Sequence, residues 1–202
     1  LTNKKIICIN RNGNRIVLKT DVESYEADIV INCSLTEMNL GLGTLHHISN
    51  ELAYQRTVCF KCKISDPVFG ITVLDGKYPT IFPTYWDENS TELDSFIFYH
   101  VKYSVCREQI SVRYPEFDPI TPKELQERYD LTMNEIKKYL VGTPYKIGEI
   151  EFLVGDRIIR PHVKDTDNRT SEIIKMAENY FVVFQGKIDY SLMMADQMLR
   201  LL

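Results

Sequence analysis

The stretch of sequence that decides the fold is YFVVFQGKID, at residues 180–189. Its first five residues are aromatic or β-branched, which predicts a buried strand. Gly186 permits a close approach of the backbone, and a helix is predicted from there to Leu202. The apolar stripe of that helix consists of Leu192, Ala195, Leu199 and Leu202. Free N–H groups and the positive end of the helix dipole face outward at such a junction. It is therefore either a site for a partly negative ligand atom or a plain strand-to-helix connection.

At the other end of the chain, residues 1–35 have the pattern of a β-meander. The turn signal Asn12-Gly13-Asn14 separates two short apolar runs. Residues 29–33 then form a continuous apolar run, which is typical of a strand buried on both faces.

Between these ends, strands are predicted at residues 57–64, 69–74, 95–105 and 149–160. A helix is predicted from Thr121, with Pro122 at its first position, Glu124 completing a capping box and Gly142 as its stop. A second, short helix is predicted at residues 170–178. The predicted class is α+β: a mixed β-sheet with helices packed on it, preceded by the meander and closed by a strand–helix unit.

Composition excludes several classes of protein. The 202 residues are 44% hydrophobic and carry a net charge of −4, so neither disorder nor a basic nucleic-acid footprint is indicated. No apolar run reaches the roughly 18 residues of a membrane span. Five cysteines at irregular spacing and the lack of a signal-peptide pattern predict reduced thiols and a cytoplasmic protein.

Two short motifs are weak. Cys59 and Cys62 form a single CxxC in a strand pattern, where residues three apart point to opposite faces, so structural cysteines and no metal site are predicted. Gly41-Leu42-Gly43 lacks the third glycine of a dinucleotide fingerprint, because His46 stands in its place.

Two groups of polar residues are candidates for ligand contact. His100, flanked by Tyr99 and Tyr103, is either a hydrogen-bonded structural group or a ligand contact. Arg157, Arg160 and His162 follow a predicted strand and form either a solvated rim or an anion clamp, since guanidinium holds carboxylates bidentately.

Three segments together resemble FAD-dependent oxidoreductases of the D-amino-acid-oxidase type. Residues 15–35, with EADIVINC, resemble the stretch where such proteins leave the FAD domain. DGKYPTIFP at residues 75–83, followed by FYHV at 98–101, resembles their substrate-domain sheet. RIIRP at residues 157–161 through FVVFQG at 181–186 resembles their closing pattern. Lys187 departs from the family, which usually has a further glycine there, and no dinucleotide fingerprint occurs in the chain.

The resemblance implies FAD as cofactor, held at its N1–C2=O edge by Gly186, Lys187 and Ile188. A small-molecule substrate, with an anionic group held by Arg160, would lie against the sheet that carries Tyr99 and His100. The reaction implied is oxidation of a small amine, amino acid or hydroxy compound by hydride transfer to flavin. The chain would be a fragment: residues 1–35 a remnant of the FAD domain, 36–160 the substrate-type domain and 161–202 the return to the FAD domain. The N-terminal FAD-binding segment would be missing.

Two other functions remain open from the sequence. A non-enzymatic α+β module that binds a ligand or partner without a cofactor fits the missing fingerprint. A flavin-dependent sugar-nucleotide mutase has a passing likeness at residues 190–197, but the arginine pattern expected of that group is lacking.

Overall fold

The computed structural model describes residues 4–39, 52–65, 70–72, 79–87, 89, 93–139, 146–161, 171–184 and 190–202. This part of the chain is mostly β-strand with two α-helices, and the α+β class is confirmed. The strands are β1 (Ile6–Asn12), β2 (Arg15–Thr20), β3 (Ser24–Ala27), β4 (Val30–Asn32), β5 (Leu52–Ser65), β6 (Ile71–Thr72), β7 (Pro79–Thr84), β8 (Ser95–His100), β9 (Val105–Ser111), β10 (Lys146–Ile159), β11 (Glu172–Ala177) and β12 (Tyr180–Phe184). The helices are α1 (Pro122–Ile136) and α2 (Ser191–Leu201), and a short 3-10 helix covers Leu35–Glu37.

The chain divides into two compact units. Unit 1 contains Leu1–Tyr54, Gln109–Glu116 and Arg157–Leu202, and unit 2 contains Gln55–Glu108 and Phe117–Asp156. Strands β5, β9 and β10 therefore each have residues in both units. The division at residues 35 and 160 inferred from the resemblance stays a prediction.

Unit 1 contains two small sheets. One is the antiparallel meander β1-β2-β3, in which Gly13 supplies the positive φ of +59° at the predicted turn. The other has the order β11-β12-β4, with β11 antiparallel and β4 parallel to β12. Asn179 links the two sheets, because its side-chain amide donates to the Asn14 and Asp28 carbonyls at 2.7 and 2.9 Å.

Three predictions in unit 1 are wrong. Residues 172–177 form strand β11, not the predicted helix. The apolar residues of the run EIIKMA fit both the helical and the strand period, and antiparallel pairing with β12 selects the strand. The run at residues 29–33 is not buried on both faces, since Ile29 and Ile31 are exposed. Helix α2 covers Ser191–Leu201 of the predicted helical stretch, but it buries Met194 and Met198, while its leucine stripe is exposed.

The sheet of unit 2 is built around β5, with β8 and β10 beside it. One face forms the core, where Phe60, Phe96 and Phe98 pack against Met133 and Ile136 of α1. The other face carries the alternate residues of each strand, as the two-residue period requires.

Helix α1 begins as predicted. The Thr121 hydroxyl accepts from the Glu124 N–H at 3.2 Å, and the Glu124 carboxylate accepts from the Thr121 N–H at 2.9 Å, which confirms the capping box. The helix ends at Ile136, earlier than predicted, and Gly142 lies outside the described residues.

The predicted strand at residues 95–105 is interrupted, which corrects the prediction. Strand β8 ends at His100, a turn follows at residues 101–104, and β9 begins at Val105. Both β8 and β9 pair with β5, and the Val58 N–H donates to the Ser104 carbonyl at 2.9 Å. The turn therefore interrupts a longer strand, whose two parts, β8 and β9, both pair with β5.

Candidate functional site

The parallel pair β4–β12 in unit 1 brings two strand ends to one edge of its sheet. Tyr180, Phe181 and Val182 pair with Val30, Ile31 and Asn32. Because the strands are parallel, the carboxyl ends at Asn32 and Phe184 lie on the same side. In open sheets with parallel strands, ligands bind outside the carboxyl ends of the strands. This carboxyl edge is the candidate site in unit 1.

The predicted cofactor residues belong to the junction that follows this edge. Gly186, Lys187 and Ile188 lie outside the described residues. The strand before them ends at Phe184 as predicted, and a helix follows from Ser191. Their assignment as cofactor contacts stays a prediction.

Asn32 organises the other strand end. Its Nδ2 donates to the Tyr180 hydroxyl at 2.9 Å and to the Met38 carbonyl at 3.2 Å. Its Oδ1 accepts from the Ser34 backbone N–H at 2.9 Å and from the Ser34 hydroxyl at 2.6 Å. One side chain thus fixes the loop after β4 to β12, and burial raises the pKa of the Tyr180 phenol.

Leu35, the first residue of the 3-10 helix, has a φ of +50°. Non-glycine residues avoid this left-handed region, at a cost of roughly 1–2 kcal/mol. The chain therefore turns sharply directly after β4, at a position that favours glycine. Strained residues of this kind persist where the surrounding structure determines them.

Two cavities adjoin β4, and both are lined in part by Ile31 and Cys33. The first, of about 380 Å³, is lined by Lys4, Lys5, Ile6, Ile9, Leu18, Val30, Ile31, Asn32, Cys33, Ser34 and Glu37. The second, of about 440 Å³, is lined by Ile31, Cys33, Val183, Ser191, Met194, Ala195, Met198, Leu199 and Leu202. The first has a mixed lining that includes two lysines, and the second is apolar.

Arg160 lies beside the end of β12. Its guanidinium is 4.9 Å from the centroid of the Phe184 ring, and its Nε and Nη2 donate to one carboxylate oxygen of Glu172. The structure thus brings Arg160 next to the last residue before the predicted cofactor junction. An incoming substrate anion would have to share the guanidinium with Glu172 or replace it.

Tyr99 and His100 point to opposite faces of β8 in unit 2. Tyr99 lies on the same face as Ile97, next to Thr80 and Phe82 of β7. Its hydroxyl oxygen is buried and has no hydrogen-bond partner among the residues that the structure describes. Such a group costs about 1–3 kcal/mol of desolvation, so a buried hydroxyl without a partner requires an explanation.

His100 lies on the core face and is 3% exposed. Its Nδ1 accepts from the backbone N–H groups of Lys102 and Tyr103 at 3.1 and 3.4 Å, and its ring contacts that of Tyr103. Burial lowers the pKa of the imidazole, so the neutral form is favoured. His100 therefore shapes the turn at residues 101–104, and its predicted contact with substrate stays a prediction.

The two cysteines of the CxxC motif behave as structural residues. Cys62 is in the core of unit 2, and burial raises the pKa of its thiol to about 12. Cys59 is on the opposite face, with its Sγ 3.8 Å from the Leu153 carbonyl oxygen. Within the described ranges no three His, Cys, Asp or Glu side chains converge as metal ligands. His46, His162 and the Gly41-Leu42-Gly43 motif lie outside those ranges.

Two further residues of the candidate site were not predicted from the sequence. Asn32 and Leu35 build the carboxyl edge, and the only local signal was the pair Asn32 and Ser34, which is typical of an Asx turn. No helix in the described part of the chain is long and apolar enough to cross a membrane.

Comparison with known proteins places the fold. No protein-family model matches the chain, and a search of curated protein sequences gives no match. The structure is similar to that of glycine oxidase from Geobacillus kaustophilus, with a TM-score of 0.58 and 14% identity over 98% of this chain and 48% of that chain. The aromatic hydroxylase CabE of angucycline biosynthesis aligns with a TM-score of 0.35 and 9% identity, over 78% of this chain and 30% of that chain, and no argument rests on it.

These observations define an α+β fold that is similar to part of the glycine oxidase fold. The chain spans about half the length of the glycine oxidase that it resembles, 48% of that chain.

Proposed function

We propose that this chain is part of an FAD-dependent oxidoreductase of the D-amino-acid-oxidase type. It oxidises a small amine, amino acid or hydroxy compound by hydride transfer to flavin. The observation that carries the proposal is the carboxyl edge of β4 and β12, in a fold similar to that of glycine oxidase. Asn32 and Leu35 shape one strand end of this edge, and Arg160 lies at the other.

The proposed cofactor site is the junction between β12 and α2. The donors proposed there are the backbone N–H groups of Gly186 and Ile188 and the Lys187 ammonium group. A bound flavin supplies a two-electron acceptor, and donors at its N1–C2=O edge stabilise the negative charge that develops there on reduction. A helix that follows the junction, as α2 does, adds the positive end of its dipole.

Two substrate contacts are proposed, each within its own unit: Arg160 in unit 1, and Tyr99 in unit 2, with His100 on the opposite face of the same strand. The Tyr99 hydroxyl has no hydrogen-bond partner among the described residues, and Arg160 offers a cation for an anionic substrate group. A bound flavin would accept the hydride from the substrate carbon, and the proton of the substrate N–H or O–H group would pass to solvent. His100 bonds to the backbone of the turn at residues 101–104, and its contact with substrate is part of the proposal.

The proposal also includes the rest of the protein. Residues 36–160 are the substrate-type part, and residues 1–35 with 161–202 belong to the FAD-binding part. The dinucleotide-binding segment is encoded outside these 202 residues. The complete protein is proposed to act in the cytoplasm.

The test is flavin content of the complete gene product after Gly186→Val and Lys187→Ala substitutions. Both changes are expected to reduce bound flavin per protein while the fold persists. Gly155→Val is the matched control, because a Cβ at Gly155 meets no atom within 4 Å. Unchanged flavin content and turnover in both variants would show that the junction is not the cofactor site. A complete gene product without flavin would favour the non-enzymatic binding module instead.

A further inference from the structure

The guanidinium of Arg160 is already bound to a carboxylate of unit 1. Its Nε and Nη2 both donate to Oε1 of Glu172, and its Cζ lies 4.9 Å from the centroid of the Phe184 ring. Glu172 pairs with Phe184 across β11 and β12, so the three residues are neighbours on one part of the sheet. The charge that is proposed to hold a substrate anion is thus neutralised by an internal ion pair.

The two partners of this ion pair differ in how firmly they are held. The Arg160 side chain is 24% exposed and lies over Phe184, a buried ring. The Glu172 side chain is 43% exposed, and its carboxylate has no partner other than Arg160 among the described residues. Arg160 is therefore the fixed partner, and Glu172 is the partner that can move into water.

The ion pair does not use the full hydrogen-bonding capacity of the guanidinium. Both donors of Arg160 bond to one oxygen of Glu172, and Nη1 of Arg160 has no acceptor among the described residues. The strongest pairs of arginine and carboxylate are bidentate, with two parallel hydrogen bonds to the two oxygens. A ligand carboxylate that offers both oxygens therefore binds Arg160 better than Glu172 does, whereas an uncharged group does not.

A ligand carboxylate would replace Glu172 rather than join it. Two carboxylates on one guanidinium repel each other, and the single positive charge of Arg160 neutralises only one of them. The released Glu172 carboxylate is solvated at little cost, since ion pairs of exposed side chains contribute little net free energy. The exchange leaves the net charge around Arg160 unchanged, so it needs no further cation or proton.

We propose that Glu172 is a specificity-determining residue, which competes with a substrate carboxylate for Arg160. It stays bound to Arg160 until a carboxylate displaces it into solvent. A substrate without a carboxylate leaves the ion pair intact, so it gains no binding energy from Arg160. This inference rests on the proposed function for the reaction that the site serves, while the competition itself is a property of Glu172, Arg160 and Phe184.

The first test measures acetate binding to the complete gene product through the NMR resonance of the Arg160 Nε–H group. Glu172→Gln keeps an oxygen that Arg160 can donate to, but it removes the competing charge. Acetate is expected to bind this variant about tenfold more tightly than wild type, because a hydrogen bond between charged groups no longer has to be broken. Glu172→Ala removes the competitor completely and is expected to change the affinity in the same direction.

Two control variants accompany this test. Glu26→Gln removes the same charge from another ion pair of unit 1, which Glu26 forms with Arg15 at 3.1 Å. It is expected to leave the affinity for acetate unchanged. Arg160→Gln is expected to abolish acetate binding, both alone and combined with Glu172→Gln.

The second test compares two substrates of the complete enzyme that differ by a carboxylate, namely each enantiomer of alanine and ethylamine. Glu172→Gln is expected to lower KM for alanine about tenfold without a change in kcat, because it removes a competitor for binding. KM for ethylamine is expected to stay the same. An equal change in KM for both compounds would overturn the proposal.

The acetate measurement also has outcomes that overturn the proposal. Equal affinities in wild type and both Glu172 variants would show that Glu172 does not compete for Arg160. Weaker binding in Glu172→Gln would make Glu172 a positioning residue for Arg160 instead. Tighter acetate binding by Glu172→Gln in a gene product without flavin would support the competition while the proposed function failed.

Discussion

At the scale of single residues, the carboxyl edge depends on one residue that stabilises the fold and one that strains its backbone. Asn32 satisfies the polar groups around it, whereas Leu35 holds the backbone at a φ of +50°. The hydrogen bonds from Asn32 to Tyr180 and Met38 hold the loop in the conformation that places Leu35 there. Substitutions at Asn32 and at Leu35 therefore measure the hydrogen-bond stabilisation and the backbone strain separately.

The strain at Leu35 predicts an unusual order of stability between two variants. Leu35→Ala and Leu35→Gly lose the same packing, but only glycine adopts positive φ without cost. We expect the glycine variant to be about 1 kcal/mol more stable than the alanine variant by urea unfolding. At an ordinary position alanine is the more stable by about 0.5–1 kcal/mol, and that order at Leu35 would contradict the strain.

The hydrogen bonds of Asn32 predict that two variants lose different amounts of unfolding free energy. Asn32→Asp removes both donors, so the Met38 carbonyl loses its partner, the Tyr180 hydroxyl can only donate to the new carboxylate, and a charge is placed at a half-buried position. We expect a loss of about 1–3 kcal/mol of unfolding free energy. Tyr180→Phe removes one of these bonds and should cost about 1 kcal/mol. An Asn32→Asp variant no less stable than Tyr180→Phe would refute the role assigned to the amide.

Removal of the Tyr99 hydroxyl is expected to affect stability and activity differently. Tyr99→Phe removes a buried group that has no partner among the described residues, so unfolding free energy should stay unchanged or rise. If the hydroxyl binds substrate, kcat/KM of the complete enzyme should fall about tenfold. Lower stability together with unchanged kcat/KM would show that the hydroxyl serves the fold.

At the scale of elements, α1 is anchored by its first turn. Glu124 caps the helix with Thr121 and also forms an ion pair with Arg107 at 2.9 Å. The hydrogen bond from Arg107 and those from Thr121 lower the pKa of the Glu124 carboxyl to about 2. The charged form of Glu124 is thus favoured by the folded state.

The lowered pKa of Glu124 predicts how the stability of the protein depends on pH in acid. The folded-state pKa lies below the ordinary value, so Glu124 stabilises the fold fully above about pH 4.5, and its contribution is lost as pH falls towards about 2. Wild type should therefore exceed Glu124→Gln in melting temperature at neutral pH, and the difference should vanish in that acid range. Glu127→Gln, on the same helix, is the control, because its ion pair is long and exposed. A difference independent of pH would contradict the assignment.

The start of α1 was predictable from sequence because a capping box depends on residues three positions apart. The break at residues 101–104 was not, because it depends on how the imidazole of His100 bonds to the following backbone. Strand β11 was missed because EIIKMA becomes a strand only through pairing with β12. For the site, the junction after β12 was recognisable locally, whereas Asn32 acquires its role from Tyr180, 148 residues away.

At the scale of the whole molecule, the likeness to glycine oxidase covers 98% of this chain and 48% of that chain. Leu192 and Leu199 of α2 are exposed, and β4 is an edge strand among the described strands. Both observations follow if this chain holds the substrate-type part of a flavoenzyme and the strand–helix unit that returns to the cofactor.

The visible absorption spectrum of the complete gene product, purified without added cofactor, decides whether the chain is part of a flavoenzyme. We expect the two visible bands of oxidised flavin, and their bleaching when a small amine, amino acid or hydroxy compound is added without oxygen. A complete, folded protein with no visible absorption, and none after incubation with FAD, would contradict it.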